Sequence, residues 1–276
     1  MKIVIIGCGY LGTALAKHFS KLGHEITATS KSSKRLKSLS KIVQRGIIGS
    51  GSDEKLMQML VDQNDLILMT LSSVSFNDYE TTFLKTAQTL RKAALKSQKP
   101  KKLIYTSNTS VYGEYHGQWV NETTPLNPIS HAAQTLIDTE NVLLSLETLH
   151  WQVTILRLGV IYGPGRDLVQ KVKDVQGNVL PGLDSHYTNM VHLDDVVESI
   201  DHIITHQLTG IYNLSDDDHP TRKEMFDEIC QKFHLPNLKW NPSESVYHNG
   251  NKRVSNVKLK STGYQFIHPH REYKKS

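Results

Sequence analysis

The sequence predicts an α/β fold, a parallel sheet wound on both faces by helices, with a smaller C-terminal lobe. Three observations carry this. Ile3–Ile6 is a short, β-branched apolar run suited to a buried parallel strand. Gly7, Gly9 and Gly12 follow it at once in G-x-G-x-x-G spacing and lead into the helix-forming Thr13–Phe19. Further strand-length apolar runs then alternate with helical patterns along the chain. Strand, glycine turn and helix in succession form a cradle for a dinucleotide, the Rossmann arrangement. Gly7 permits the tight turn, Gly9 presents no side chain to an approaching pyrophosphate, and Gly12 lets helix and strand pack closely. Tyr10 and Leu11 lie within the motif at the helix start, where N–H groups and the helix dipole favour phosphate.

The second strand is expected over Gly23–Thr29. An NAD-binding unit usually carries an acid roughly 20 residues past the glycines to hold the ribose 2′-OH. Here that place is taken by Thr29, Ser30 and Lys31, with Lys34 and Arg35 close behind. A hydroxyl and cations suit a 2′-phosphate, which favours NADP(H) over NAD(H); the plainer reading is a solvated basic loop leading into a helix. Ile42–Ile48 reads as a third strand, and Ser52 as the cap of a helix with Leu56, Met57, Met59 and Leu60 inward. Asp65–Leu71 reads as the fourth strand, which places Leu71 and Ser72 beside the cofactor, because ligands lie beyond the carboxyl ends of such strands. Ser75 is expected to cap a long helix whose Tyr79, Phe83, Leu84, Ala87, Leu90 and Ala94 are core. A fifth strand, Lys102–Thr106, a helix from about His131 to Leu149 and a sixth strand, Gln152–Leu158, follow.

Past the sixth strand, Gly163-Pro164-Gly165 is a turn and Val179–Gly182 a crossing loop. Asp194 and Asp195 are placed to cap a helix carrying Val196, Val197, Ile200, Ile203 and Ile204. His192 beside those acids suggests a metal, but too few ligands converge in the sequence, and no metal site is expected. His202 and His206 sit one turn apart on a polar face. Ile211–Leu214 is the last sheet strand, and Thr221–Glu224 a capping box opening a helix that buries Cys230. The core is expected over residues 1–158, completed by about 189–215, with residues 159–188 and 216–276 forming a substrate lobe.

T-S-x-x-S-V-Y-G from Thr106 to Gly113, E-x-x-P-x-x-P from Glu122 to Pro128, L-R-x-x-x-I-Y-G-P-G-R from Leu156 to Arg166, and N-M-V-H-L-D-D-V from Asn189 to Val196 occur in this order. Jointly they resemble the extended short-chain dehydrogenase/reductases, the nucleotide-sugar epimerases, dehydratases and reductases. The resemblance runs from the first strand to the C-terminal segment Arg253–Leu259. It implies that Thr106, Ser107, Leu158, Gly159 and Val160 face the cofactor. It also implies that Tyr112, Tyr162, Arg166, Asn189 and His192 face a polar small-molecule substrate of the nucleotide-sugar kind. One departure limits the transfer of function. The family's Ser/Thr position falls on Asn108, and its Tyr-x-x-x-Lys positions fall on Ala132 and Leu136. The usual proton relay is absent, as in atypical members of that group. Asn108, Tyr112 and His131 remain as weak catalytic candidates; His131 titrates near neutrality when unperturbed, although a residue at a helix start is the plainer reading. Two functions stay open: an atypical NADP(H)-dependent oxidoreductase or epimerase, and a catalytically inactive dinucleotide-binding regulator or scaffold.

Composition excludes other classes. The formal net charge is +5, and the basic residues gather at Lys31, Lys34, Arg35, Lys37 and Lys41 and in the tail at Arg271, Lys274 and Lys275. Aromatic residues do not interleave with the first cluster, so nucleic acid is not an expected partner. No apolar run approaches the roughly 20 residues of a membrane span. The apolar run before Cys8 is Ile3–Ile6 alone, short of the roughly 7–15 residues of an export signal. Cys8 and Cys230 are the only cysteines, which implies no disulfide framework and a cytoplasmic location. A monomer or homodimer is expected.

Overall fold

In the computed structural model, which describes residues 1–73, 75–97, 99, 101–243 and 250–273, the apolar runs become the strands of one sheet. These are β1 (Lys2–Ile6), β2 (Glu25–Ser30), β3 (Arg45–Ile48), β4 (Leu66–Met69), β5 (Lys102–Asn108), β6 (Gln152–Leu158) and β7 (Gly210–Leu214). Their order is β7-β6-β5-β4-β1-β2-β3. Strand β1 pairs in parallel with both β2 and β4, with Ile3 opposite Ile26 on one side and Leu66 on the other. The chain therefore moves outward from β1 to β3 and returns on the other edge of β1. That reversal is the topological switch point at which open α/β sheets bind ligands. Ile3–Ile6 and Leu66–Met69 are all buried, as strands covered on both faces must be. Each large aliphatic side chain so buried contributes about 1.5–3 kcal/mol.

The chain divides into two compact units. The first comprises Met1–Ser107, Gln134–Leu156 and Ile200–Ile211. Its helices include α1 (Tyr10–Lys21), α2 (Ser33–Leu39), α3 (Glu54–Gln63), α4 (Lys85–Lys96) and most of α5 (His131–Leu144). Several boundaries differ from the sequence reading, each for a local reason. Strand β3 begins at Arg45 because the N–H groups of Ile42 and Val43 donate back to Leu39 O, closing the turn after α2. Asp53 caps α3 in place of Ser52, its Oδ1 accepting from Leu56 N at 3.0 Å. The helix expected from Ser75 opens as a 3₁₀ turn (Phe76–Asp78) and a π turn (Glu80–Leu84) before α4. The helix expected to reach Leu149 tightens to 3₁₀ over Ser145–Leu149 and stops at left-handed His150.

The second unit comprises Asn108–Ala133, Arg157–Ser199 and Tyr212–Ser276, of which Lys274 and Lys275 lie outside the described residues. The segment 108–133, read from the sequence as part of the first lobe, clusters with this unit. Three short parallel pairings hold it: Val160–Tyr162 with Met190–His192, Val179–Pro181 with Lys239–Asn241, and Trp119–Val120 with Arg253–Val254. Val179–Pro181 is thus a strand, where a loop was expected. Tyr162, Val172, Met190, Met225, Phe226, Ile229 and Cys230 build its core, together with residues of α6 (Leu168–Asp174) and α8 (Arg222–Lys232). The Thr221–Glu224 capping box is present, and Cys230 is fully buried. Asp195, in the first turn of α7 (Leu193–Thr205), holds the C-terminal segment: its carboxylate accepts from Ile267 N, His268 N and the Tyr264 hydroxyl.

One ion pair ties the last segment into this unit. The Arg271 guanidinium donates from Nε to Asp216 Oδ2 at 2.7 Å and from Nη2 to Asp216 Oδ1 at 2.9 Å, and both side chains are buried. Burial pushes the Asp216 carboxyl up to about 7 against the pull of Arg271. The guanidinium stays charged throughout, so the carboxylate is its obligatory partner. Asp216→Asn should strand that cation and cost about 3–5 kcal/mol in denaturant unfolding; a cost below 1 kcal/mol would remove the pair from the account. His219 adds a pH term. Its Nδ1 is buried with no partner among the described residues, and burial, with Arg271 next, pulls its pKa from 6.5 down to about 4. A folded-state value below the unfolded one means that the unfolded chain takes up the proton first. Stability contributed by neutral His219 is therefore full above pH 6.5 and lost progressively toward pH 4. His219→Phe should flatten this window of the stability–pH curve, and an unchanged slope would contradict the assignment.

Candidate functional site

In the first unit the glycine turn is held by its two neighbouring strands. Gly7 adopts φ +88, a left-handed conformation suited to glycine. Its N–H donates to Thr29 Oγ1 at 3.2 Å, and its carbonyl accepts from Thr70 Oγ1 at 3.1 Å. Cys8 N donates to Thr29 O at 2.8 Å, and Gly9 N to Gly7 O at 2.7 Å. The three glycines are not equivalent. A Cβ at Gly12 would lie 2.9 Å from Thr70 Oγ1 and 3.1 Å from Ile5 Cγ2, and one at Gly7 would lie 2.8 Å from Leu71 Cδ2. At Gly9 the nearest atom would be Ser72 Oγ, at an ordinary 3.7 Å. The protein's own packing therefore explains Gly7 and Gly12 but leaves room at Gly9. Helix α1 has Gly9 as its N-cap, no side chain capping it and no acid in its first turn. Such an end is favourable to an anion.

Strand β2 ends at Ser30, whose Oγ accepts from Ser32 N at 3.1 Å. Ser32 in turn caps α2 by accepting from Arg35 N at 3.3 Å. Lys31, Lys34 and Arg35 are all exposed, and among the described residues no ion pair engages them. Leu71 is half-buried and Ser72 exposed, one turn past β4. Thr106 and Ser107 are buried, and their hydroxyls serve the protein. Thr106 Oγ1 donates to Met69 O at 3.4 Å and Ser107 Oγ to Glu140 Oε1 at 2.5 Å. Glu140 lies on α5 at 1% exposure, a buried carboxylate that ties that helix to the end of β5.

The remaining candidates are in the second unit. Leu158 is buried at the end of β6, and Val160 is exposed. A Cβ at Gly159 would meet Asn189 O at 2.8 Å, so close backbone packing explains that glycine. Asn108 caps a 3₁₀ turn, its Oδ1 accepting from Ser110 N at 2.7 Å. Tyr112 is fully buried: its hydroxyl donates to Asn213 Oδ1 at 2.7 Å and accepts from Arg157 Nη1 at 3.1 Å. Burial raises its pKa, with the guanidinium of Arg157 opposing. His131 is exposed as the first residue of α5, beside half-buried Ala132. Asn189 braces a strand, donating from Nδ2 to Lys252 O and accepting at Oδ1 from Val254 N. Arg166 is exposed at a turn closed by mutual backbone bonds with Gly163. Tyr162 and His192 pack edge to face at 5.1 Å and line a cavity of about 310 Å³ with His268 and Tyr273. The Tyr162 hydroxyl has no partner among the described residues and its burial raises its pKa, while burial together with neighbouring His268 lowers that of His192.

Lys252 escaped the sequence reading. It is 1% exposed, donates from Nζ to Gly113 O at 3.3 Å, and burial pulls its pKa down to about 8. An amine in that range is suited to proton exchange near neutrality. No local pattern marks it, because its acceptor Gly113 and the opposing charge of Glu114 lie more than a hundred positions earlier in the chain.

The chain resembles many solved structures at low identity. It is 19% identical to the UDP-glucose 4-epimerase of Thermotoga maritima, solved with UDP-glucose (TM-score 0.82, covering 97% of this chain and 94% of that one). It is 18% identical to the dTDP-glucose 4,6-dehydratase of Streptomyces venezuelae, solved as a double mutant with NAD (TM-score 0.82, 96% and 92%). A functionally unknown conserved protein from Silicibacter pomeroyi is 21% identical (TM-score 0.79, 98% and 94%). These likenesses concern the fold. No curated protein matches the sequence. Among the described residues no helix is long and apolar enough to cross a membrane. The model of the NAD dependent epimerase/dehydratase family matches residues 3–215, most of the sheet and its glycine turn, and the chain belongs to that family.

Proposed function

We propose that the glycine turn binds a nicotinamide dinucleotide, NADP(H) in preference to NAD(H). On this reading the protein is an atypical oxidoreductase or epimerase acting on a polar substrate of the nucleotide-sugar class. The observation that carries the cofactor reading is Gly9, where a Cβ would meet no protein atom closer than Ser72 Oγ at 3.7 Å, so the backbone lies open at the N-cap of a helix without a capping side chain. A pyrophosphate passing over that backbone supplies a reason for the glycine. Family membership supports the same cofactor class. The preference for a 2′-phosphate rests on exposed Lys31, Lys34 and Arg35 after β2 and on the absence of an acid there. The nucleotide-sugar class is suggested by the UDP-glucose carried by the Thermotoga relative. Hydride transfer requires chiefly a nicotinamide held against a carbon, and the cofactor supplies that chemistry when bound. The chain's residues then bind, orient and exclude water. We place the protein in the cytoplasm as a monomer or homodimer.

The second reading, a regulator or scaffold that binds the dinucleotide without turnover, is favoured by Ala132 and Leu136. Neither exchanges a proton, and Leu136 is buried.

Two variants test the cofactor reading. Gly9→Ala, at negative φ and with open space for its Cβ, should still give a folded chain while weakening NADPH at least about tenfold, or 1.4 kcal/mol. Gly7→Ala, at positive φ, should instead destabilise the fold by more than about 1 kcal/mol. A Gly9→Ala chain with unchanged affinity would reject the site. Lys31→Ala should weaken NADPH by about 1.5–3 kcal/mol, the worth of a charge-assisted hydrogen bond, and leave NADH unchanged. An unaltered NADPH-to-NADH ratio would reject the 2′-phosphate assignment.

A further inference from the structure

His192, Asp194 and His268 come together in the second unit, although His268 is 74 positions from Asp194 in the chain. Asp194 Oδ2 lies 3.4 Å from His192 Nδ1 and 3.3 Å from His268 Nε2. One ligand atom from each of the three residues falls within 4.8 Å of the others. Zinc bonds to nitrogen and oxygen of about 2.0–2.2 Å give tetrahedral edges of about 3.3–3.5 Å. The two measured edges have that length.

We propose that His192, Asp194 and His268 bind a divalent transition-metal ion of the zinc class. Two imidazoles and one carboxylate suit a borderline ion better than calcium or magnesium. Neighbouring groups hold the segments that carry the ligands. Buried Asp195 fixes the strand of chain that delivers His268, accepting from Ile267 N at 2.7 Å and His268 N at 3.0 Å. The Tyr264 hydroxyl donates to Asp195 Oδ1 and braces the same segment. The His192 ring is wedged against Tyr162 and over Gly163, where a Cβ would lie 2.9 Å from His192 Nε2. Both histidines line the 310 Å³ cavity, which offers room for water or a small anion as the fourth ligand. The alternative is that these groups serve the start of α7, where Asp194 N donates to His192 Nδ1 at 3.2 Å and His268 Nε2 bonds to Asp194 Oδ2 at 3.3 Å. In that role they take up no ion.

The test uses the full chain, stripped with EDTA and titrated with cobalt(II) as a spectroscopic probe. One cobalt should bind per chain, with the visible bands of a four-coordinate ion, and zinc should displace it. His268→Gln and His192→Gln should each weaken binding by more than about 100-fold, with folding checked by circular dichroism. The double variant His202→Gln/His206→Gln removes the helical pair whose rings lie 4.0 Å apart and should bind as the natural chain does. No cobalt uptake by the natural chain, uptake that survives His268→Gln in a folded protein, or uptake lost with the His202/His206 pair would each overturn the proposal.

Discussion

The glycine turn after the first strand depends on two threonine hydroxyls. Thr29 on β2 accepts the Gly7 N–H, and Thr70 after β4 donates to the Gly7 carbonyl. Those two strands flank β1 on either side, where the sheet order reverses. The turn's shape is thereby set by the sheet. A binding loop fixed in advance loses less entropy on binding than one that must be ordered. The same clamp separates the glycines by cause. Gly7 answers to backbone conformation and Gly12 to helix packing. At Gly9 packing leaves space, and its backbone (φ −89, ψ −138) lies outside both the strand and the helix regions.

How legible this was in the sequence follows from the distance over which each feature is built. The strand Ile3–Ile6, the three glycines and the Thr221–Glu224 capping box are local patterns, and the structure carries all of them. The sheet as a whole was legible because its strands read as apolar runs. Boundaries shifted where a hydrogen bond invisible to periodicity decided them, as at Asp53 and at the turn after Leu39. The threonine clamp was not legible, because Thr29 and Thr70 come from separate strands. Neither was the pairing of Asp216 with Arg271, 55 positions apart, nor the approach of His268 to Asp194. Asp194 and Asp195 were read as helix caps. The fold gives Asp195 to the C-terminal segment and Asp194 to two histidines.

Side-chain engagement also sorts the site candidates that motif position could not rank. Asn108 caps a turn, Asn189 braces a strand, Ser107 binds Glu140, and Tyr112 is closed into a network with Asn213 and Arg157. These groups hold the scaffold. The side chains left exposed are of another kind: Lys31, Lys34, Arg35 and Ser72 on the first unit, and His131 and Arg166 on the second, where half-buried His192 and His268 line the cavity. Within its family the chain carries the glycine turn, and the positions to which the resemblance assigns the proton relay hold the aliphatic Ala132 and Leu136.

The most direct test of a ready-made dinucleotide cradle is calorimetric titration of the natural chain with NADPH and with NADH. The account predicts saturable binding of one NADPH per chain, tighter than NADH and weakening as salt is raised, since exposed cations would hold the 2′-phosphate. Absence of binding by both nucleotides would contradict it.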